Sequence, residues 1–233
     1  MAPRLIFEQE LEQLKEKIKE MGEYAEIGLN KLLLAIKADD RDALNLLADS
    51  DRNIVDMQRS IEAGCLALMT KQQPVARDLR LVSAALKAVS DLERIGDHVS
   101  DMAELFLRRN AAVGEKDGDV ILLRMLEEAC TMFREAVESF VEGDAETARM
   151  VIDSDDGVDS LFNEMKDKMM ETIRNQSLDA DSVVDNLMIA KYLERIGDHA
   201  TNIAEWVIYA MTGEHKYISR LNSNADIVDR EEE

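Results

Sequence analysis

Residues 91–104 read DLERIGDHVSDMAE, and residues 192–205 read YLERIGDHATNIAE. Nine of the fourteen positions are identical, at an offset of 101. A shorter mark repeats as well: Asp-Ser-Asp stands at 49–51 and again at 153–155, an offset of 104. Two marks with nearly the same offset describe a chain folded from two copies of one unit. The residues between the breakers then say what that unit is.

Breakers divide the chain into six long helical segments. The first runs over 4–38 and ends at ADDRD, where Asp39 or Asp40 can cap the next helix. The second runs to about Thr70. KQQPV follows, with Pro74 suited to the first turn of a third helix that continues to about Arg109. NAAVGEKDGD, polar and holding Gly114 and Gly118, is the best linker in the chain. The same layout then repeats over 119–142, 145–175 and a last helix to about Ala210. Gly143 and Asp144 serve as C-cap and N-cap, and Ser177 caps the last helix with Asp179 and Asp181 in its first turn. Short turns make consecutive helices antiparallel neighbours. The expected fold is all-α: two tandem three-helix bundles, residues 1–112 and 113–213, followed by an acidic tail over 214–233.

Composition agrees. Ten Gly and two Pro in 233 residues are too few for a loop-rich β protein. The net charge of −21 argues against nucleic acid or an anionic membrane surface as partner, and it permits cation binding. No apolar run approaches the length of a membrane span, and the N-terminal stretch carries charges where a signal peptide needs its apolar core. Cys65 and Cys130 stand alone in apolar stretches and read as reduced core thiols in a reducing compartment.

On a helical wheel at about 100° per residue, Glu93 at zero puts Asp97 at about 40°, Asp101 at about 80° and Glu104 at about 20°. Leu92, Ile95, Val99, Met102 and Phe106 fall on the opposite side. The second copy repeats the acid stripe with Glu194, Asp198 and Glu205, and Asn202 stands at the Asp101 position. A face opposite the core is ordinarily just solvated, but a solvated face has no reason to keep Glu, Arg, Gly, Asp and His in order twice. Hairpin arithmetic adds ligands from the preceding helix. Counting from the turn at Ser177, Asp155 comes level with Asp198 and Asp159 with Glu194; counting from Pro74, Asp51 comes level with Asp97. Val55 stands where Asp159 would be, so the first site is the weaker, with Asp49 and Asp56 as poorer substitutes. Carboxylates converging from two helices are the donor set of hard cations or of iron and manganese. The candidate metal ligands are therefore Asp51, Glu93, Asp97, Asp101, Asp155, Asp159, Glu194, Asp198 and Asn202.

The other conserved-order residues take supporting roles. Gly96 and Gly197, in mid-helix, suggest a close neighbouring helix. His98 and His199 fall off the stripe and read as hydrogen-bonded or surface histidines. Arg94 and Arg195 read as ion-pair partners for the acids. No Glu-x-x-His pair, HExxH, Walker A or GxGxxG occurs, and no nucleophile–base pair can be read from the spacing.

The segments CLALMTKQQPVARDLRLVSAALKAVSDLERIGDH at 65–98 and YLERIGDHATNIAEWVIY at 192–209 resemble the PhoU family of phosphate-transport regulators, a likeness covering all but the last dozen residues. The resemblance implies two three-helix bundles and metal clusters on E/D-x-x-x-D motifs, here Glu93 to Asp97, Glu194 to Asp198 and Asp155 to Asp159. It further implies multinuclear clusters, with iron first and zinc, manganese or magnesium as other candidates. A cytoplasmic adaptor is expected, one linking the ATPase subunit of a phosphate ABC transporter to a sensor histidine kinase and repressing phosphate-starvation genes, with homodimerisation left open. The alternative is a metal-dependent enzyme acting on phosphate compounds or oxygen.

Overall fold

The computed structural model describes residues 3–50, 52–109, 117–175 and 180–214. Helices α1 (Pro3–Ala38), α2 (Arg41–Ala48), α3 (Arg52–Gln72) and α4 (Arg77–Arg108) build the first bundle. Helices α5 (Asp117–Glu142), α6 (Ala145–Asn175) and α7 (Ala180–Thr212) build the second. Both halves are three-layered helical hairpins, as the duplication predicts. The expected division at 112–113 and the caps at Ser177 and Asp179 lie outside the described residues, as does the tail beyond Glu214. Among the described residues, no helix is long and apolar enough to cross a membrane.

The segment expected as one helix from 42 to 70 is two, α2 and α3. Asp49 and Ser50 leave the helical path, and the Ser50 hydroxyl and N–H both donate to the Leu47 carbonyl, at 2.6 and 3.1 Å. The Tyr24 hydroxyl donates to the Ser50 carbonyl at 3.2 Å, giving that freed acceptor a partner outside the helix. Ser154 occupies the same place in the second copy but stays inside α6, its hydroxyl on the Val151 carbonyl at 2.7 Å. At the offset of 104, Tyr24 corresponds to Glu128, whose carboxylate has no proton to donate. The Tyr24 phenol thus satisfies a carbonyl freed at the break, a contact the Glu128 carboxylate cannot make in the half that stays helical.

The caps follow the sequence with one exception. Asp40 accepts from the Ala43 N–H at 3.0 Å, Asp144 from the N–H groups of Glu146 and Thr147, and Gly143 takes φ +70° at the end of α5. Pro74, expected in the first turn of its helix, stands ahead of α4, which begins at Arg77. The chain reverses there through Gln73 and Ala76, both at positive φ, and the fixed φ of proline suits that turn.

A single apolar core runs through both bundles. Leu92, Ile95, Val99, Met102 and Phe106 are all buried in it, on the side of α4 opposite the acids. The halves join where α4 packs on α7 and α1 on α5. Gly22 of α1 lies so near α5 that a Cβ would come 2.5 Å from Val137. Arg109 forms a buried ion pair with Asp119, and Arg108 pairs with Asp185 of α7. Cys65 is buried and Cys130 half-buried; both are unbridged, and burial pushes both thiols up to about 12.

Close helix approach at Gly96 makes a measurable prediction. A Cβ there would clash with the buried Ile54 side chain, whereas at Gly64 the nearest atom is 3.8 Å away. Gly96→Leu should cost about 1–3 kcal/mol through overpacking. Gly64→Ala should instead gain up to ~1 kcal/mol from helix propensity. Urea denaturation of the two variants reads both signs.

Candidate metal centre

The two glycines of the repeated motif set the gap in which the acids stand. At Gly197 a Cβ would lie 3.1 Å from a carboxylate oxygen of Asp155 and 3.6 Å from Val158. Helix α7 therefore runs close along α6, as α4 does along α3 at Gly96 and Ile54. Only glycine permits that spacing without pushing the acid rows apart.

In the second half the hairpin arithmetic describes which acids meet. Asp155 is half-buried, and its carboxyl is pushed up to about 6, first by burial and then by Asp159, Asp198, Glu194 and Asp156. Asp198 is raised too, by partial burial and then by Glu194, with Lys191 opposing. Lys191 forms an ion pair with Glu194 one turn away. Five carboxylates from two helices thus share one repulsive field, partly answered by one ammonium.

The first half is different. Glu93 is raised, first by burial and then by Asp97. Arg94 opposes this, lying 3.6 Å from Glu93 and 3.7 Å from Asp97. Glu62 of α3 adds its charge to Glu93. Val55, at the Asp159 position, packs against the core. Asp51 lies outside the described residues. Asp49 is exposed, and Asp56 pairs with Arg59 at 3.6 Å.

Asp101 and Asn202 do not join these groups. They face the crossing of α4 and α7, where the two copies of the motif meet. Asp101 accepts from the Tyr192 hydroxyl and lies 3.7 Å from Nδ1 of His98. Asn202 donates to Asp91 at 3.2 Å, and Nδ1 of His199 lies 2.8 Å from the same oxygen. The rings of His98 and His199 stand 5.6 Å apart, and that of His98 is 4.9 Å from Tyr192. His199 is hydrogen-bonded, as one of the two expected roles has it. His98 is neither that nor on the surface: it is buried, and burial first, then His199, lower its pKa to about 4. Arg94 pairs with its neighbouring acids as expected; Arg195 instead bears on His98 and Tyr192.

Wheel and hairpin arithmetic missed Glu62, Lys191, Asp91 and Tyr192. Glu62 lies more than a turn from the level of Glu93, so counting from Pro74 passes it by. Asp91 and Tyr192 meet partners on a helix that is not consecutive in the chain, and no turn count relates α4 to α7.

All donors in both acid groups are carboxylate oxygens, and burial together with neighbouring acids disfavours ionisation of Asp155, Asp198 and Glu93. That chemistry fits a hard cation, whose charge would answer the repulsion. Among the described residues, no three His, Cys, Asp or Glu side chains stand close enough as placed to hold an ion.

Such a molecule, an all-helical internal duplication with an acid-bearing motif on the last helix of each half, defines a recognisable class. The PhoU domain profile matches it twice, over residues 18–106 and 122–207. This chain belongs to the PhoU domain family. It is 35% identical over 213 residues to the phosphate-specific transport system accessory protein PhoU homolog of Clostridium acetobutylicum, covering 90% of this chain and 96% of that one. It is 30% identical over 224 residues to PhoU homolog 1 of Thermotoga maritima, covering 92% and 93%. The crystal structure of PhoU from Pseudomonas aeruginosa superposes with a TM-score of 0.84 at 31% identity, covering 89% of this chain and all of that one. The phosphate transport system regulatory protein PhoU from Streptococcus pneumoniae does so at 0.82 and 26%, covering 89% and 98%.

Two shifted groups predict opposite pH slopes for the metal-free protein. Asp155 holds its proton more tightly folded than unfolded, so it favours the folded state at low pH and loses that contribution as pH rises through about 6. His98 binds its proton less tightly folded, so its contribution falls as pH drops from its ordinary value towards about 4. Denaturation midpoints in chelator between pH 4 and pH 7 should show Asp155→Asn falling more steeply on acidification than wild type. His98→Gln should fall less steeply.

Proposed function

We propose that this chain is an accessory regulator of phosphate transport that binds metal in its acid clusters and acts through contacts with other proteins. The observation that carries the metal reading is the meeting of Asp155, Asp159, Glu194 and Asp198 in one field that raises Asp155 to about 6. Relatives named as phosphate-specific transport system accessory proteins carry the phosphate reading. Glu93 and Asp97, with Glu62, make the first and weaker group, since Arg94 already neutralises part of it. Oxygen-only donors from two helices suit hard cations, and the resemblance to PhoU puts multinuclear iron clusters first, with zinc, manganese or magnesium as alternatives. Bound metal would tie α7 to α6 by charge where the apo chain has repulsion. The partners proposed are the ATPase subunit of a phosphate ABC transporter and a sensor histidine kinase, both met in the cytoplasm. A chain at −21 would approach basic surfaces on them, and it would repress starvation genes through these proteins and not by touching DNA.

Elemental analysis after reconstitution with iron tests the site. Wild type should hold more than one metal ion per chain. Asp198→Ala should hold less, with unchanged helicity by circular dichroism, because Asp198 is not part of the apolar core. A wild-type chain that takes up no metal ends the metal reading. Deleting the gene tests the rest: phosphate uptake and starvation genes should become active in phosphate-rich medium. Intact repression in that strain, in the absence of a second family member, ends the regulatory reading.

A further inference from the structure

The break between α2 and α3 leaves a groove of about 470 Å³ between α1 and α2 that the acid clusters do not use. Its walls are apolar and open: Ile27 is 54% exposed, Leu34 66% and Leu46 76%. Leu44 and Leu47 of the same short helix turn inward to the core, so the exposure of Leu46 is not a failure of α2 to pack. On α1 the groove residues Ile27, Lys31, Leu34 and Ala38 follow helical spacing over three turns, roughly 16 Å at 1.5 Å per residue.

The duplicated half supplies an internal control. The corresponding cleft there is lined by Glu127, Glu128, Thr131, Glu135 and Ser154. At the offset of 104, Thr131 stands for Ile27, Glu135 for Lys31, and Glu138 for Leu34. At the Leu46 position the second half keeps an exposed apolar residue, Met150, and Met132 also lines its cleft, but the Ile27 and Leu34 positions are polar or charged there, so nothing in the architecture demands exposed Ile and Leu on α1. A contiguous apolar patch kept in one copy alone marks a contact surface.

Charge selects the occupant. Exposed Asp39, Asp40 and Asp42 surround the α1–α2 corner at one end of the groove, and exposed Asp49 caps the far end of α2. The two bases beside them are already engaged: Lys37 with Glu127 at 2.7 Å, and Arg41 on the carbonyls of Leu107 and Arg109. A second copy would bring another −21 to this acidic corner, and the acidic tail of the chain itself has the wrong sign as well. We infer that the α1–α2 groove docks a basic amphipathic helix of another protein, its apolar face on Ile27, Leu34 and Leu46 and its cationic flank on the aspartates. Helix-in-groove recognition uses this pairing of an apolar floor with a charged rim.

The probe is a fluorescein-labelled synthetic helix about four turns long, leucine on one face and lysine on the other. Fluorescence anisotropy should show it binding the full chain, more weakly as salt rises. A scrambled peptide of the same composition, and one with glutamate for lysine, should bind worse. The variant Ile27→Thr/Leu34→Glu gives the groove the residues of the second half and should lose about tenfold or more in affinity. Simple attraction of a cation to an acidic protein would move the other way, since Leu34→Glu adds a negative charge. Both positions are exposed, and circular dichroism checks that the variant is folded. Equal or tighter binding by the double variant, or by wild type to the scrambled peptide, overturns the proposal. So does sedimentation showing a wild-type dimer that Leu34→Glu dissociates, since the occupant would then be a second copy.

Discussion

The crossing of α4 and α7 is the contact on which the rest of the molecule depends. Each motif helix must serve three directions at once. Leu92 and Ile95, or Leu193 and Ile196, enter the core. Glu93 and Asp97, or Glu194 and Asp198, face the preceding helix across a gap set by glycine. His98 and His199 face the opposite copy of the motif. A periodicity of about 3.6 residues divides a helix into just such faces, and six consecutive residues suffice to reach all three. The repeated sequence is therefore the joint between the halves and the wall of both acid groups.

This explains what could be read from the chain alone. Relations within a hairpin were legible, because a turn fixes the level of every residue on two antiparallel helices. The pairing of Asp155 with Asp198 and the close approach at Gly197 follow from counting. Relations between halves were not legible. Nothing in the spacing of Asp91 says that it will hold His199, nor that Tyr192 will donate to Asp101. The helix break at Asp49–Ser50 also escaped, since the side chain that satisfies its freed carbonyl is a tyrosine 26 residues earlier. Even the Asp-Ser-Asp repeat misleads there: Asp49 and Ser50 leave the helix in one half, while Asp153 and Ser154 stay within α6 in the other.

The two copies have diverged in ways that go together. The first carries Val55 where the second has an acid, pairs Glu93 and Asp97 with Arg94, and has an apolar groove behind the broken helix. The second has five acids in one field, a continuous α6 and a polar cleft. Duplication lets one unit hold charge while the other changes its surface, because the shared core makes either half's stability partly the property of both.

The contacts at the crossing are also reciprocal. His199 meets Asp91, and His98 meets Tyr192, which stands at the Asp91 position of the other copy; the two histidines meet each other. Residue i touches j′ and j touches i′, which is the signature of an isologous, twofold interface. A half-length chain bearing one copy of the motif would present a self-complementary face and could close the same joint with its twin. In this protein the covalent link between α4 and α5 turns such a homodimer into a monomer's interior. It fixes the two faces at a permanent high effective concentration, and so frees each to acquire the different residues that a symmetric pair could never carry.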